Sequence, residues 1–140
     1  MVDRYLVDNV TLSRMTAEQR ASPFMRNRCR IPEEILYEAR GLPDIELLKP
    51  LIYPITTTVL ENVKVVLATI KAGDKVVDLY RNEGNGDVML LATALTEMAV
   101  TAEQLFGDRW IIATADKGLT SKAVELGVLT CTSDQFIELV

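Results

Sequence analysis

The sequence predicts an α/β fold, a three-layer α/β/α sandwich around a mostly parallel central sheet. Short apolar segments alternate along the chain with longer segments whose apolar residues recur at helical spacing, and this alternation is typical of strand–helix–strand units. The short segments are continuously apolar, as in strands that are buried on both faces. The 140 residues, 49% of them apolar, suit one domain over residues 1–140.

The first elements are marked by short apolar runs and by proline. Tyr5–Val7 is a short apolar run and predicts an opening strand. Residues 11–19 can form a helix, which Ser22–Pro23 should break. Pro32 is followed by two acids, which is typical of a helix start, and Gly41 is a natural position for the end of that helix.

The middle of the chain predicts a short helix and then a strand near Leu51–Ile55. The threonines at 56–58 can cap a helix that runs to about Lys71, because its valines recur on one face. Val76–Tyr80 is ambiguous between strand and helix.

The last third opens with a glycine-rich loop, Asn82–Gly86. Asp87 then starts a long helix, which Gly107 closes. Trp110–Ala113 is the clearest strand of the chain, and Leu119–Leu126 fits a helix. Two final elements complete the chain: a strand Val128–Cys131 and a helix from Ser133 to Leu139.

The composition excludes several kinds of chemistry. The chain has no histidine, which excludes Ser-His-Asp catalysis, histidine bases and His-ligated zinc. A net charge of -5 argues against unspecific coating of nucleic acid. Cys29 and Cys131 have neither a metal-binding nor a disulfide pattern. The chain shows no signal-peptide pattern and no apolar stretch long enough to span a bilayer, so we expect a cytoplasmic protein.

Three aspartates follow predicted strands or open predicted helices: Asp8, Asp87 and Asp116. In parallel α/β sheets ligands bind beyond the carboxyl ends of the strands, where such residues meet. Each aspartate also has a plain interpretation as a helix N-cap. A cluster of like charges normally needs a cation, and oxygen ligands favour Mg²⁺ or Mn²⁺.

A fourth carboxylate can come from one of three glutamates. Glu34 and Glu38 lie one turn apart on the same face of a predicted helix. Glu83 lies in the glycine-rich loop just before Asp87. Spacing alone does not choose among the three.

Four acidic motifs follow one another along the chain: Tyr5-Leu6-Val7-Asp8, Leu36-Tyr37-Glu38 with Gly41 following, Gly86-Asp87 with Leu91-Ala92-Thr93-Ala94, and Ile112-Ala113-Thr114-Ala115-Asp116. In this order they resemble the motifs of PIN-domain nucleases, and among them those of the VapC-type toxins of bacterial type II toxin–antitoxin systems. The resemblance extends over nearly the whole chain and favours Glu38 over Glu34, because the second acid of the family lies late in its helix.

The resemblance implies a metal-dependent endoribonuclease that hydrolyses RNA phosphodiester bonds and acts as the toxin of a toxin–antitoxin pair. Thr114 would support Asp116, and Asn9 would be a second supporting residue. Asn9 follows Asp8 directly, whereas the family usually has a hydroxyl residue in between, and Ala115 stands where the family often has asparagine. Homodimers are common in the family. The implied catalytic and metal-binding residues, for one or two Mg²⁺ or Mn²⁺ ions, are Asp8, Glu38, Asp87 and Asp116.

Five of the 15 basic residues fall in one short segment before the Glu38 helix. Arginine binds phosphate bidentately, so the segment is a candidate contact for RNA or for an acidic antitoxin segment. A solvated loop with ordinary ion pairs is an equal alternative. The arginines are Arg14, Arg20, Arg26, Arg28 and Arg30.

Two other functions stay open at this point. One is a different Mg²⁺-dependent phosphotransfer domain, of receiver or phosphatase type, with Asp8 as nucleophile. Such a domain would want a lysine after a later strand, whereas Lys117 directly follows Asp116. The other is a non-catalytic binding module whose acids are helix caps and surface charge.

Overall fold

The structure is a computed structural model, and it describes residues 1–71, 73 and 85–140. The strands of this part are β1 (Asp3–Val7), β2 (Cys29–Pro32), β3 (Ile52–Tyr53), β4 (Arg109–Ala113) and β5 (Leu129–Cys131). They form a five-stranded sheet in the order β3-β2-β1-β4-β5, and every neighbouring pair is parallel. The prediction of an α/β fold with a parallel sheet is confirmed.

Most of the described helices begin at a side chain that accepts a hydrogen bond from a first-turn backbone N–H, which satisfies an otherwise unpaired donor. Threonine, serine and aspartate side chains supply these caps. A 3₁₀ turn over Lys49–Leu51 precedes β3. The helices are α1 (Asn9–Arg14), α2 (Ala17–Arg20), α3 (Pro23–Arg28), α4 (Glu33–Glu38), α5 (Ile45–Leu48), α6 (Thr57–Ala68), α7 (Asn85–Ala102), α8 (Lys117–Glu125) and α9 (Ser133–Ile137).

One face of the sheet is covered by α3 and α9. The ring of Tyr5 in β1 packs 5.8 Å from Phe24 of α3 and 5.2 Å from Phe136 of α9. Phe136 is fully buried and Tyr5 nearly so. The aromatic cluster therefore anchors both helices to the central strand.

The opposite face is covered by α7, which packs against α6. Trp110 is the register partner of Arg4, and successive strand residues point to opposite faces, so Trp110 lies on the face away from Tyr5. Its ring meets Tyr53 edge-on, and the Tyr53 hydroxyl donates a hydrogen bond to Glu97 of α7. The sheet thus lies between two helical layers.

The register of the two central strands sets the position of the site. β1 and β4 pair along their whole length, from Asp3 opposite Arg109 to Val7 opposite Ala113. Both strands therefore end at the same level. The residues that follow them leave the sheet side by side at its carboxyl edge.

The structure differs from the predicted elements in the first third. The helix expected over 11–19 is two helices, because Thr16 and Gln19 form a capping box that starts a new helix. Ser22 and Pro23 start α3 rather than only ending a helix, since the serine caps it and the proline occupies its first turn. β2 was not predicted, because Arg30 interrupts its apolar run.

The remaining elements agree in type with the predictions, with bounds shifted by a few residues. Asn85 and Gly86 belong to α7 rather than to the expected loop. The segment 76–80 and the loop residues 82–84 lie outside the described residues. Cys29 and Cys131 are free thiols. Within the described part of the chain, the helices are all too short or too polar to cross a membrane.

Candidate carboxylate site

Asp8 follows β1 and is held by two hydrogen bonds. Its Oδ1 accepts from the backbone N–H of Thr11 at 2.8 Å, which caps α1. Its Oδ2 accepts from the Thr114 hydroxyl at 2.6 Å. The side chain is buried, with 6% of the residue exposed. Asp8 is therefore both a helix cap and a fixed carboxylate at the sheet edge.

Asp116 caps α8 in the same way, since its Oδ1 accepts from the Leu119 N–H at 2.8 Å. Its own backbone N–H donates to Thr114 Oγ1 at 3.0 Å. Thr114 thus connects two of the predicted acids, because its one hydroxyl donates to Asp8 and accepts from Asp116. A hydroxyl can do both at once. The sequence predicted a contact with Asp116, and the bond to Asp8 is additional.

Glu38 and Asp87 approach from two further helices. Glu38 ends α4, and Asp87 lies in the first turn of α7. The backbone of Gly86 donates a hydrogen bond to Glu38. A Cβ at position 86 would lie 2.7 Å from Glu38 Oε1 and 2.7 Å from Ile35 Cδ1. A larger residue at position 86 would therefore displace the Glu38 and Ile35 side chains from these positions.

The four predicted acids line one open cavity of about 310 Å³. Asp8 is buried and Asp87 half-buried, whereas Glu38 and Asp116 are exposed. Glu34 is not part of the lining, and Glu83 lies outside the described residues. The lining consists of Asp8, Asn9, Val10, Ile35, Glu38, Asp87, Ala115 and Asp116.

The electrostatics of the cavity are those of uncompensated negative charge. Burial, and after it the charges of Asp116, Asp8 and Glu38, together raise the pKa of Asp87 to about 7. The pKa of Glu38 is also raised, by burial first and then by Glu34 and Asp8, against the hydrogen bond from Gly86. No lysine or arginine of the described residues lines the cavity. A bound cation would relieve this repulsion.

The donor chemistry of the cavity suits a hard divalent cation, because carboxylate oxygens are the ligands that Mg²⁺ and Mn²⁺ prefer. The acids are spread around the cavity wall, however. Over residues 1–71, 73 and 85–140, no three His, Cys, Asp or Glu side chains stand close enough together to hold a metal ion as they are. Asp8 is fixed by its two hydrogen bonds, so the more exposed carboxylates Glu38 and Asp116 would have to move closer to it to complete a metal site.

Asn9 lines the cavity at the first position of α1, next to Asp8. Thr11 does not face the cavity with its hydroxyl. That hydroxyl lies 2.6 Å from the Ser133 hydroxyl and 3.3 Å from the Ala113 carbonyl oxygen. Thr11 therefore links α1 to β4 and α9. Of the two polar residues Asn9 and Thr11 in α1, Asn9 lines the cavity and Thr11 does not.

The arginine segment does not flank the cavity as a unit. Arg28 donates to the backbone carbonyl of Asp3, at the start of β1, and so lies at the amino edge of the sheet, opposite the acids. Arg26 lies in the last turn of the same helix, α3. Arg30 folds back to the carbonyl oxygens of Arg26 and Cys29. The expectation of proximity to the site is therefore wrong for Arg28 and Arg26. Arg30 is the register partner of Leu6, one residue before the end of β1, but its side chain turns back towards α3.

The two other arginines of the segment already have acidic partners. Arg20 is buried and forms a two-pronged ion pair with Asp44, at 2.8 and 2.9 Å. It also donates to two backbone carbonyls. Arg14 lies at the end of α1 and pairs with Asp134 at 3.7 Å. Arg20 is therefore structural, and Arg14 keeps half of its side chain exposed.

Two features near the cavity were missed from the sequence. The close approach of Gly86 to Glu38 has a sequence signal, a glycine directly before an acid at a helix start. The second is Tyr37, of which 61% is exposed, whereas Tyr5 is buried. The Arg40 guanidinium stacks on its ring, 4.1 Å from the centroid. A single exposed tyrosine has no such signal in the sequence.

In comparisons with known proteins, no family model matches the chain and no curated protein matches it. The fold and the cavity by themselves define a class. The chain is a parallel α/β domain with a carboxylate-lined cavity at the carboxyl edge of its sheet, which is where such domains bind their ligands.

Proposed function

We propose that this chain is a Mg²⁺- or Mn²⁺-dependent endoribonuclease that hydrolyses RNA phosphodiester bonds. One observation supports the proposal above the others. Four carboxylates from four different parts of the chain line one cavity, and no basic side chain of the described residues lines it with them. Such a cavity binds cations rather than anions. The absence of histidine suits a reaction that needs no histidine base.

Asp8 and Asp116 are the best candidates to hold the metal directly, with Glu38 and Asp87 as further ligands or as acceptors that orient the attacking water. Both Asp8 oxygens accept a hydrogen bond, but each keeps a second lone pair. When bound, the metal would lower the pKa of a water molecule and stabilise charge on the phosphate oxygens. Thr114 keeps the Asp8 carboxylate and the Asp116 backbone in fixed positions, as groups behind metal ligands commonly do.

The finer parts of the proposal come from the resemblance to PIN-domain nucleases of the VapC type. They are an RNA substrate, the role of a toxin with a cognate antitoxin protein as partner, a homodimer and a cytoplasmic location. The contact of RNA or antitoxin with the arginine segment is part of the same proposal. With Arg26 and Arg28 at the far edge of the sheet, that contact would be remote from the acids.

The test is cleavage of single-stranded and structured RNA with Mn²⁺ or with EDTA. We compare the unchanged chain with Asp8→Asn and Asp116→Asn. Asp134→Asn is the matched control, because Asp134 is exposed and outside the cavity. We expect metal-dependent cleavage that drops by about 100-fold or more in the two cavity variants and is unchanged in the control. Cleavage in EDTA, or equal cleavage by all four proteins, would refute the proposal.

A non-catalytic binding module is the second candidate, and it is favoured by one observation. Asp8 and Asp116 do cap α1 and α8, so their positions need no catalytic role. This candidate predicts that Asp8→Asn and Asp116→Asn lower stability alone, with no RNA cleavage by any variant. A phosphotransfer domain would instead become phosphorylated at Asp8 by a small phosphodonor, which mass spectrometry detects.

A further inference from the structure

An aromatic and a cationic side chain stand together beside the carboxylate cavity. Tyr37 directly precedes Glu38 in the chain, and Glu38 lines the cavity. The Arg40 guanidinium lies 4.1 Å from the centre of the Tyr37 ring. Both residues are exposed. The pair lies outside the cavity lining, next along the chain to Glu38, and we call this exposed region beside Glu38 the rim of the cavity.

The Tyr37 ring has one free face. Arg40 covers one side of the ring, and 61% of Tyr37 remains exposed. A planar aromatic face open to water is a surface on which an unpaired base stacks. Without a ligand, the exposed ring of Tyr37 has its stacking contact with Arg40 as its local interaction.

Arg40 has N–H groups beyond the one that donates to the Tyr37 carbonyl oxygen. One of its five N–H groups bonds the Tyr37 carbonyl oxygen at 2.9 Å, which also helps to end α4. Within the described part of the chain no carboxylate lies at ion-pair distance from Arg40. A guanidinium in this state can bind a phosphate with two parallel hydrogen bonds.

We propose that Tyr37 and Arg40 form a nucleotide-binding platform at the rim of the cavity. An unpaired base of single-stranded RNA stacks on the free face of Tyr37, and Arg40 binds the adjoining phosphate. This proposal rests on the proposed function for its substrate class. It also meets a need that the cavity leaves open, because four acids repel RNA and a cation on the rim offsets part of that repulsion.

The local alternative is that the pair only stabilises the end of α4. The two interpretations differ in whether the Tyr37 ring contacts RNA. A platform needs a flat ring with one open face, so Tyr37→Phe preserves it and Tyr37→Ala removes it. A purely structural pair would change thermal stability in Tyr37→Ala and leave RNA binding alone.

The experiment uses short single-stranded RNAs in which 2-aminopurine replaces one base at a time, since stacking quenches the fluorescence of this base. The background is Asp116→Asn, in which the RNA stays intact. Into this background we introduce Tyr37→Ala, Tyr37→Phe and Arg40→Gln. Phe106→Ala and Arg109→Gln are matched controls, because both residues are exposed and lie outside the cavity lining and outside the arginine segment. Circular dichroism and thermal melting confirm that each variant is folded.

We expect Tyr37→Ala to abolish the quenching at one position and to weaken RNA binding by about 10-fold, which is typical of one stacked base. Tyr37→Phe should keep both properties. Arg40→Gln should weaken binding and lower its salt dependence while most of the quenching stays. Binding and quenching by Tyr37→Ala within about twofold of the parent would overturn the platform.

A parallel assay separates this proposal from the proposed function. The chain with Asp116 intact is tested for Mn²⁺-dependent cleavage of the same RNAs. Cleavage together with unchanged binding in Tyr37→Ala overturns the platform and leaves the nuclease. Quenching that depends on Tyr37, without metal-dependent cleavage, supports the platform and overturns the nuclease.

Discussion

The carboxylates at the two edges of the parallel sheet have opposite electrostatic surroundings. At the amino edge, Asp3 accepts two hydrogen bonds from Arg109, at 2.8 and 2.9 Å, and Asp108 accepts one from Arg4 at 2.6 Å. At the carboxyl edge, the acids of the cavity face one another with no basic side chain of the described residues among them. Aspartates thus pair with arginines at the amino edge, whereas at the carboxyl edge they line the cavity together with other acids.

The pKa values follow this division. The hydrogen bond from Arg109 lowers the pKa of Asp3, and that from Arg4 lowers the pKa of Asp108. Burial and neighbouring acids raise the pKa of Asp87 to about 7 and also raise that of Glu38. An arginine partner lowers the pKa of a carboxyl group, whereas burial and nearby carboxylates raise it. The comparison therefore distinguishes Asp3 and Asp108 from Asp87 and Glu38.

The largest effect should come from breaking the most buried of the paired acids. Arg20 and Asp44 keep only 7% and 13% of their side chains exposed. Asp44→Ala leaves the Arg20 charge buried without its partner, and we expect it to lower the free energy of unfolding by about 3 kcal/mol. Urea denaturation measures the change.

The matched control for this pair is Glu46→Ala. Glu46 pairs with Lys49 at 2.7 Å, but both side chains are more than half exposed, so we expect a change below about 0.5 kcal/mol. Equal effects of the two substitutions would contradict the division between buried and exposed pairs.

An intermediate effect should come from pH at the cavity. Asp87 has an unfolded pKa near 3.8 and a folded pKa of about 7, so the folded state binds the proton more tightly. Its stabilising contribution is complete below about pH 4 and is lost as the pH rises through 7. Allowing for partial exposure of the side chain, we expect a loss of roughly 2 kcal/mol by pH 8 in EDTA.

Three measurements sharpen this prediction. Asp87→Asn should flatten the dependence of the unfolding free energy between pH 5 and pH 8, whereas Asp134→Asn should not. Mn²⁺ at pH 8 should restore the stability of the unchanged chain, because a ligand that binds the folded state stabilises it. The same pH dependence in Asp87→Asn and in the unchanged chain would show that Asp87 is not its source.

The smallest effect is expected at the exposed amino edge. Arg109→Gln removes the two hydrogen bonds to Asp3, but more than half of the Arg109 side chain is in contact with solvent. We expect a fall in the melting temperature that is barely measurable at low salt and absent in 1 M NaCl, where exposed pairs are screened. A large, salt-independent loss would mean that both edges depend on their charges for folding.

Much of the fold could be predicted because its signals are local. Asp8 directly follows an apolar run and caps the next helix, and Asp116 does the same after β4. Because parallel strands end at one edge, these two acids could be placed together from the sequence. Glu38 was distinguished from Glu34 by resemblance, not by spacing, and Glu38 alone of the two lines the cavity.

The differences between the predicted and the observed structure have separate physical causes. The arginine segment looks continuous in sequence, but the path of the chain places Arg28 at the start of β1 and buries Arg20 against Asp44. β2 escaped notice because a strand of four residues with an arginine has no clear pattern. The residue type of Tyr37 does not show whether its ring is buried. The packing of α4 leaves the ring facing solvent.

The sequence by itself determined the type of most elements, the aspartate helix caps and the absence of histidine chemistry, since each depends on neighbouring residues or on composition. The tertiary structure decided which acids lie opposite a cation and which lie opposite one another. It also brought Gly86 against Glu38 and left the Tyr37–Arg40 pair on the rim. These relations join residues far apart in the chain or depend on which helix face is buried, and no local pattern specifies either.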